Sequence, residues 1–145
     1  MSRRAWVATR KGLFELHREH TGWKIVRSSF VGEPVSMVLP PQADGPHAGR
    51  MMAALNLGHF GVKLHVSDDA GQQWREVATP VYPPEPAAAQ EGVNSMGVNA
   101  PPWKLVQVWS LQRSGGSLWA GTLPGGLFRS DDGGASWQLV DALWQ

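Results

Sequence analysis

The sequence predicts an all-β chain, and three observations lead there: a motif that occurs twice with fixed spacing, a Gly- and Pro-rich composition, and a scarcity of long amphipathic helical patterns. The segments "LHVSDDAGQQWREV" and "LFRSDDGGASWQLV" both carry S-x-D-x-G-x-x-W, as Ser67, Asp69, Gly71 and Trp74 and as Ser130, Asp132, Gly134 and Trp137. Seventeen Gly, eleven Pro and eight Trp are the balance of many short strands joined by tight turns.

Aligning the chain on the two boxes exposes a third, decayed copy. "GLFELHREHTGW", from Gly12 to Trp23, has the length of "GLFRSDDGGASW", from Gly126 to Trp137, with Leu16, Arg18 and His20 at the Ser, Asp and Gly positions. Upstream of each box stands an apolar run, "AWVAT", "RMMAAL" and "SLWAGT", followed by a Gly-containing loop. A further run, "PVSMVLP" or "KLVQVWSL", precedes it in the second and third copies. The unit is therefore four strands with the box as the turn between the third and fourth. Residues 1–28, 33–80 and 104–145 form the three units, and the first lacks its innermost strand. Four-stranded units at a period of roughly 50 residues predict blades of a β-propeller, as a segment of a ring of about six to eight blades.

Each residue type in the box has a folding role. Asp accepts backbone N–H bonds inside a tight loop, Gly takes the left-handed backbone, Ser closes a local bond, and Trp buries its ring between neighbouring sheets. The competing reading gives Asp68, Asp69, Asp131 and Asp132 to a cation or to acid–base work. Equivalent turns on separate blades should not converge on one site, so the structural role is preferred.

These motifs resemble the Asp-box, or bacterial neuraminidase repeat, of sialidase-like β-propellers, and "LWAGTLPGGLFRSDDGGASW" is similar to the N-terminal part of bacterial glycosyl-hydrolase-like repeat proteins. The superfamily spans sialidases, other glycosidases, sortilin-type receptors and photosystem II assembly factors, so the resemblance implies a fold more than a chemistry. It also implies that a ligand binds on the face opposite the boxes. There the loops "TRKG", "NLGHFG" and "TLPGG" should meet, together with the insert from Thr79 to Lys104 that lengthens the spacing between the second and third copies.

On that rim Arg10, Lys11 and His59 are candidates for an anionic ligand, because guanidinium groups pair with carboxylates. Tyr82 and Glu85, in the insert, are candidates for a Tyr nucleophile and its carboxylate, the arrangement the sialidase resemblance implies. The Arg-Ile-Pro motif that would carry the first sialidase arginine is absent. His17 and His20 have metal-pair spacing but lie in the decayed box turn, so no metal and no cofactor is assigned.

Composition narrows the classes further. Thirteen basic and twelve acidic residues leave a formal charge of +1, without the basic stripe of a nucleic-acid binder. No run approaches a membrane span, and the absence of cysteine suits a reducing, cytoplasmic setting. The expected function is a propeller scaffold whose rim loops bind a carbohydrate or protein ligand. The alternative is part of a sialidase-like glycoside hydrolase whose catalytic set is completed by missing blades or another copy. With eleven strands expected, the chain is read as a fragment of a longer protein or as a homo-oligomer.

Overall fold

The computed structural model describes residues 3–84 and 103–144. Eleven strands, β1 (Arg4–Thr9), β2 (Gly12–Glu19), β3 (Gly22–Ser29), β4 (Val35–Leu39), β5 (Met51–Asn56), β6 (Val62–Ser67), β7 (Arg75–Val77), β8 (Gln107–Ser114), β9 (Ser117–Leu123), β10 (Gly126–Ser130) and β11 (Gln138–Leu139), follow one another with two short 3-10 turns and no α-helix among the described residues. They form three antiparallel sheets in chain order: sheet one from β1 to β3, sheet two from β4 to β7, and sheet three from β8 to β11. The first sheet has three strands and the others four, as the repeat predicts.

The strand sequences record how each sheet is covered. "MMAALN" in β5 does not alternate polar with apolar, and Met51 to Leu55 are all inaccessible. A strand reads so when both of its faces are buried. Met51, Ala53 and Leu55 point to one side and pack with Leu13, Val35, Trp6 and Ala8 at the seam with sheet one. Met52 and Ala54 point to the other and pack with Leu118, Ala120, Val108 and Phe128 at the seam with sheet three. The middle sheet is thus sandwiched by its neighbours. β3, which has no sheet beyond it, leaves Trp23, Ile25 and Val26 about half exposed.

Two departures from the sequence reading have local causes. In the decayed copy no Ser and Asp hold a loop open, so β2 and β3 stay paired as far as Glu19 and Gly22, and only His20 and Thr21 turn the chain. Consequently Trp23, expected between sheets, is 48% exposed. The register of this hairpin also slips once, between Glu15 and Leu16. Glu15 lies before the slip, two residues after Leu13 on the same face of β2, and its carboxylate, only 4% exposed, sits in the first seam among Arg4, His17 and Arg27. Burial pushes its pKa up, but hydrogen bonds from Arg4 and His17 and the charge of Arg27 outweigh burial and leave it below the usual carboxylate value.

Because consecutive strands alternate in direction, the connections divide between two ends of the sheets. One end carries the loops after β1, β3, β5 and β9 and the described residues that directly follow β7. The other carries the box turns and the loops after β4 and β8.

Candidate functional site

The box turns fold around their own side chains. Ser67 Oγ accepts the Gly71 N–H at 2.8 Å and donates to Asp69 Oδ1 at 2.8 Å, while that oxygen also accepts the N–H groups of Gln72 and Gln73. In the second copy Ser130 Oγ accepts from Gly134 at 2.9 Å and donates to Asp132, which takes both the N–H and the hydroxyl of Ser136. These bonds, led by the one from the Ser136 hydroxyl, hold the Asp132 pKa down at about 2. Asp69 is lowered for the same reason, chiefly by the Gln73 N–H. The neighbouring Asp68 pairs with Arg50 and Arg75, and Asp131 with Ser117 and Arg129. No cluster of three or more metal-ligating side chains occurs among the described residues.

Two expected results follow from this geometry. Ser130→Ala leaves a buried Gly134 N–H without its acceptor and should cost about 1–3 kcal/mol in urea unfolding, with Ser67→Ala close to it. Asp132 is depressed in the folded state, so its contribution is complete above the unfolded Asp pKa, near 3.9, and is lost as pH falls through about 2. Thermal melts between pH 5 and 2 should therefore fall less steeply for Asp132→Asn than for the parent chain; parallel curves would refute the assignment.

The boxes also lock one sheet to the next. The Trp74 indole N–H reaches Ser29 Oγ at the edge of sheet one, and the Trp137 N–H reaches the Ala78 carbonyl just after β7. Arg27 donates across the first seam to the Ala70 carbonyl. Arg50, which pairs with Asp68 in its own sheet, lies against Gly133 across the second.

At the opposite end, an open cleft of about 400 Å³ is lined by Arg10, Ser36, Asn56, Gly58 and Gln107, with Pro34 and Val35. All three sheets contribute. Asn56 is fixed by donating its side-chain N–H to the Val106 carbonyl and accepting the Gly58 N–H, and Ser36 donates to the carbonyls of Ala54 and Val108. Arg10 is exposed, with no ion pair among the described residues. Lys11 and His59 sit on adjoining loops but do not line this cleft; His59 lies edge-on to Phe60 at 5.8 Å.

The structure puts Tyr82 elsewhere. Its ring is 6% exposed, in the second seam, edge-on to Phe128 and against Trp144. Its hydroxyl contacts Thr122 Oγ1 and donates to the Pro124 carbonyl, both at 2.5 Å. Burial raises its pKa despite the Thr122 bond. A nucleophile needs an accessible, acidified hydroxyl, and this one is enclosed and engaged. The bonds do tie the segment after β7 to the loop after β9, at the end opposite the boxes. Glu85 lies outside the described residues. His17 is bonded to Glu15 and His20 occupies the two-residue turn.

A larger cavity, about 480 Å³, opens at the box end between sheets two and three, over Leu39, Met52 and Leu118 and beneath His47, Arg50 and Arg113. Arg113 donates to the carbonyls of Pro40 and Arg50, and burial, then the charge of Arg50, lowers its pKa. Sequence reading missed this cavity because its walls come from loops that differ between copies, and no spacing links position 47 or 50 to 113.

No protein-family model matches the chain, and no curated protein matches it. Among solved structures it is similar to YCF48 bound to D1 peptide, a β-propeller protein, with a TM-score of 0.53 at 17% sequence identity. The fold is a β-propeller segment. The likeness covers 96% of this chain and 37% of the YCF48 chain, so the present blades span well under half of that protein's length.

Proposed function

We propose that this propeller segment is a binding scaffold that takes an extended, acidic peptide segment of a protein partner in the rim cleft beside Arg10. The observation that carries this reading is the composition of the cleft: the carboxamides of Asn56 and Gln107 beside a guanidinium that, among the described residues, has no carboxylate partner and no acid in the lining with it. Amides suit the N–H and C=O groups of an extended main chain, and Arg10 suits a carboxylate on it. Glycoside hydrolysis calls for paired carboxylates flanking the bond, which this lining does not supply. The similarity to a propeller solved with a peptide supports a peptide over a sugar. Lys11 and His59, on adjoining loops of the same rim, add positive charge and an aromatic edge around the mouth, and the Asp-box turns serve as the scaffold's inter-blade locks.

The test is selection of a phage-displayed random peptide library on the immobilised chain and, in parallel, on Arg10→Glu. Enrichment of Asp- or Glu-containing peptides on the parent chain, with affinity lower by about tenfold or more on the variant, is the expected outcome. Equal enrichment on both, or none on either, would overturn the proposal.

A further inference from the structure

The strand registers place the three sheets on one frame. Ala5, Met51 and Leu118 each stand opposite the box position that begins with Leu16, Ser67 or Ser130. Counting from there, alternate residues of β1, β5 and β9 form two sets. One set is Trp6 and Ala8, Met52 and Ala54, Trp119 and Gly121. The other is Ala5 and Val7, Met51 and Ala53, Leu118 and Ala120.

The two seams use these sets in one way only. At the first, Trp6 and Ala8 meet Met51 and Ala53; at the second, Met52 and Ala54 meet Leu118 and Ala120. A first-set face always packs on a second-set face of the following sheet. Two faces remain. Sheet three presents the first set, Trp119 and Gly121, extended by Trp109 at 61% exposure and Leu123 at 52%. Sheet one presents the second set, Ala5 and Val7, extended by its cross-strand neighbours Phe14 and Leu16 and by Ile25 at 60% exposure. Apolar faces of this extent mark association surfaces.

We infer that in solution the open face of sheet three is covered by the open face of sheet one of a second copy of this chain. The argument is continuity with the two seams already built: the outer faces carry the register-equivalent positions of the faces that pair inside the chain, in the same polarity. The box Trp points the same way. Trp74 and Trp137 each donate to the outer edge of the preceding sheet, at Ser29 and Ala78. By register Ile25, opposite Leu16, holds the place that Trp74 holds opposite Ser67 and Trp137 opposite Ser130, and it stands exposed on the open face of sheet one. The contact joins unlike surfaces, so it is heterologous, and a ring forms when the rotation between copies closes; two copies supply six sheets, within the range of closed propellers.

The experiment uses this 145-residue chain, whose lack of cysteine makes any introduced thiol unique. Light scattering over a concentration series should give a mass of two copies or more, reduced to one copy by Trp109→Glu with an unchanged circular dichroism spectrum. A parent chain that is monomeric throughout would overturn the inference and point to other blades or another protein as the cover. Val7→Cys and Leu123→Cys, mixed and treated with a short bis-maleimide, should crosslink to each other and not to themselves. Like-with-like crosslinking, or none, would also overturn it. None of the three substituted residues lines the Arg10 cleft, so failure here leaves peptide binding to be judged separately.

Discussion

Phe128→Ala is expected to lower the stability of the fold by about 3–5 kcal/mol, the usual cost of emptying a buried aromatic site. Phe128 is inaccessible, points from β10 into the second seam, and meets Tyr82 edge-on at 5.3 Å. Truncation removes apolar burial, opens a cavity in the larger of the two core clusters, and unseats the ring that anchors the segment after β7 to sheet three. Phe14 is the internal control. It holds the register-equivalent position on β2 but points to the open side of sheet one, where it is only partly buried. Phe14→Ala should cost about 1 kcal/mol, typical of a point substitution. Urea unfolding of both in the Trp109→Glu background compares them with the open faces uncovered, since association would otherwise bury Phe14 as well. Equal losses would mean that the seam does not carry the stability assigned to it.

The contrast between those two phenylalanines shows what the chain's sequence makes legible. The strand order, the three sheets and the placement of the box turns are local matters, written in spacing, in Gly and in apolar runs of five or six residues. So is the identity of the middle sheet, because only a strand covered on both faces reads "MMAAL". What escapes is non-local. Tyr82 sits in a Pro-rich stretch that looks like solvent-facing loop, yet its hydroxyl ends 40 residues away on Thr122. Glu15 reads as one polar residue of an alternating strand, yet it shares the buried face of Leu13, where arginines from β1 and β3 pair with its carboxylate. Of the rim residues, Arg10 reaches the cleft whereas Lys11, one position on, does not line it. Alternation along a turn decides that, and turns lack the strict period that makes strands readable.

Gly134→Ala is expected to cost about 2–4 kcal/mol, from two sources that a second site can separate. The first is backbone: φ is +94° at Gly134, a region where a side chain adds about 1–3 kcal/mol. The second is packing, because an added Cβ would lie 2.5 Å from Met52 Cε of the neighbouring sheet and 3.6 Å from Leu118, so the end of the flexible Met52 side chain, which borders the box-end cavity, must shift to another rotamer at about 1 kcal/mol. Gly71, the same position in the other box, has φ of +88°, but its Cβ would stand 3.2 Å from Met51 Sδ. Gly71→Ala should therefore carry the backbone cost with less of the packing cost, and be the milder change. Met52→Ala clears the space beside Gly134, so the double substitution Gly134→Ala with Met52→Ala should be less destabilised than the sum of the singles by about 0.5–1 kcal/mol. Strict additivity in urea unfolding would show that the glycine serves the turn alone. Coupling would show that the box turn is shaped to receive the next sheet, so that one short motif both ends a hairpin and sets the distance between blades.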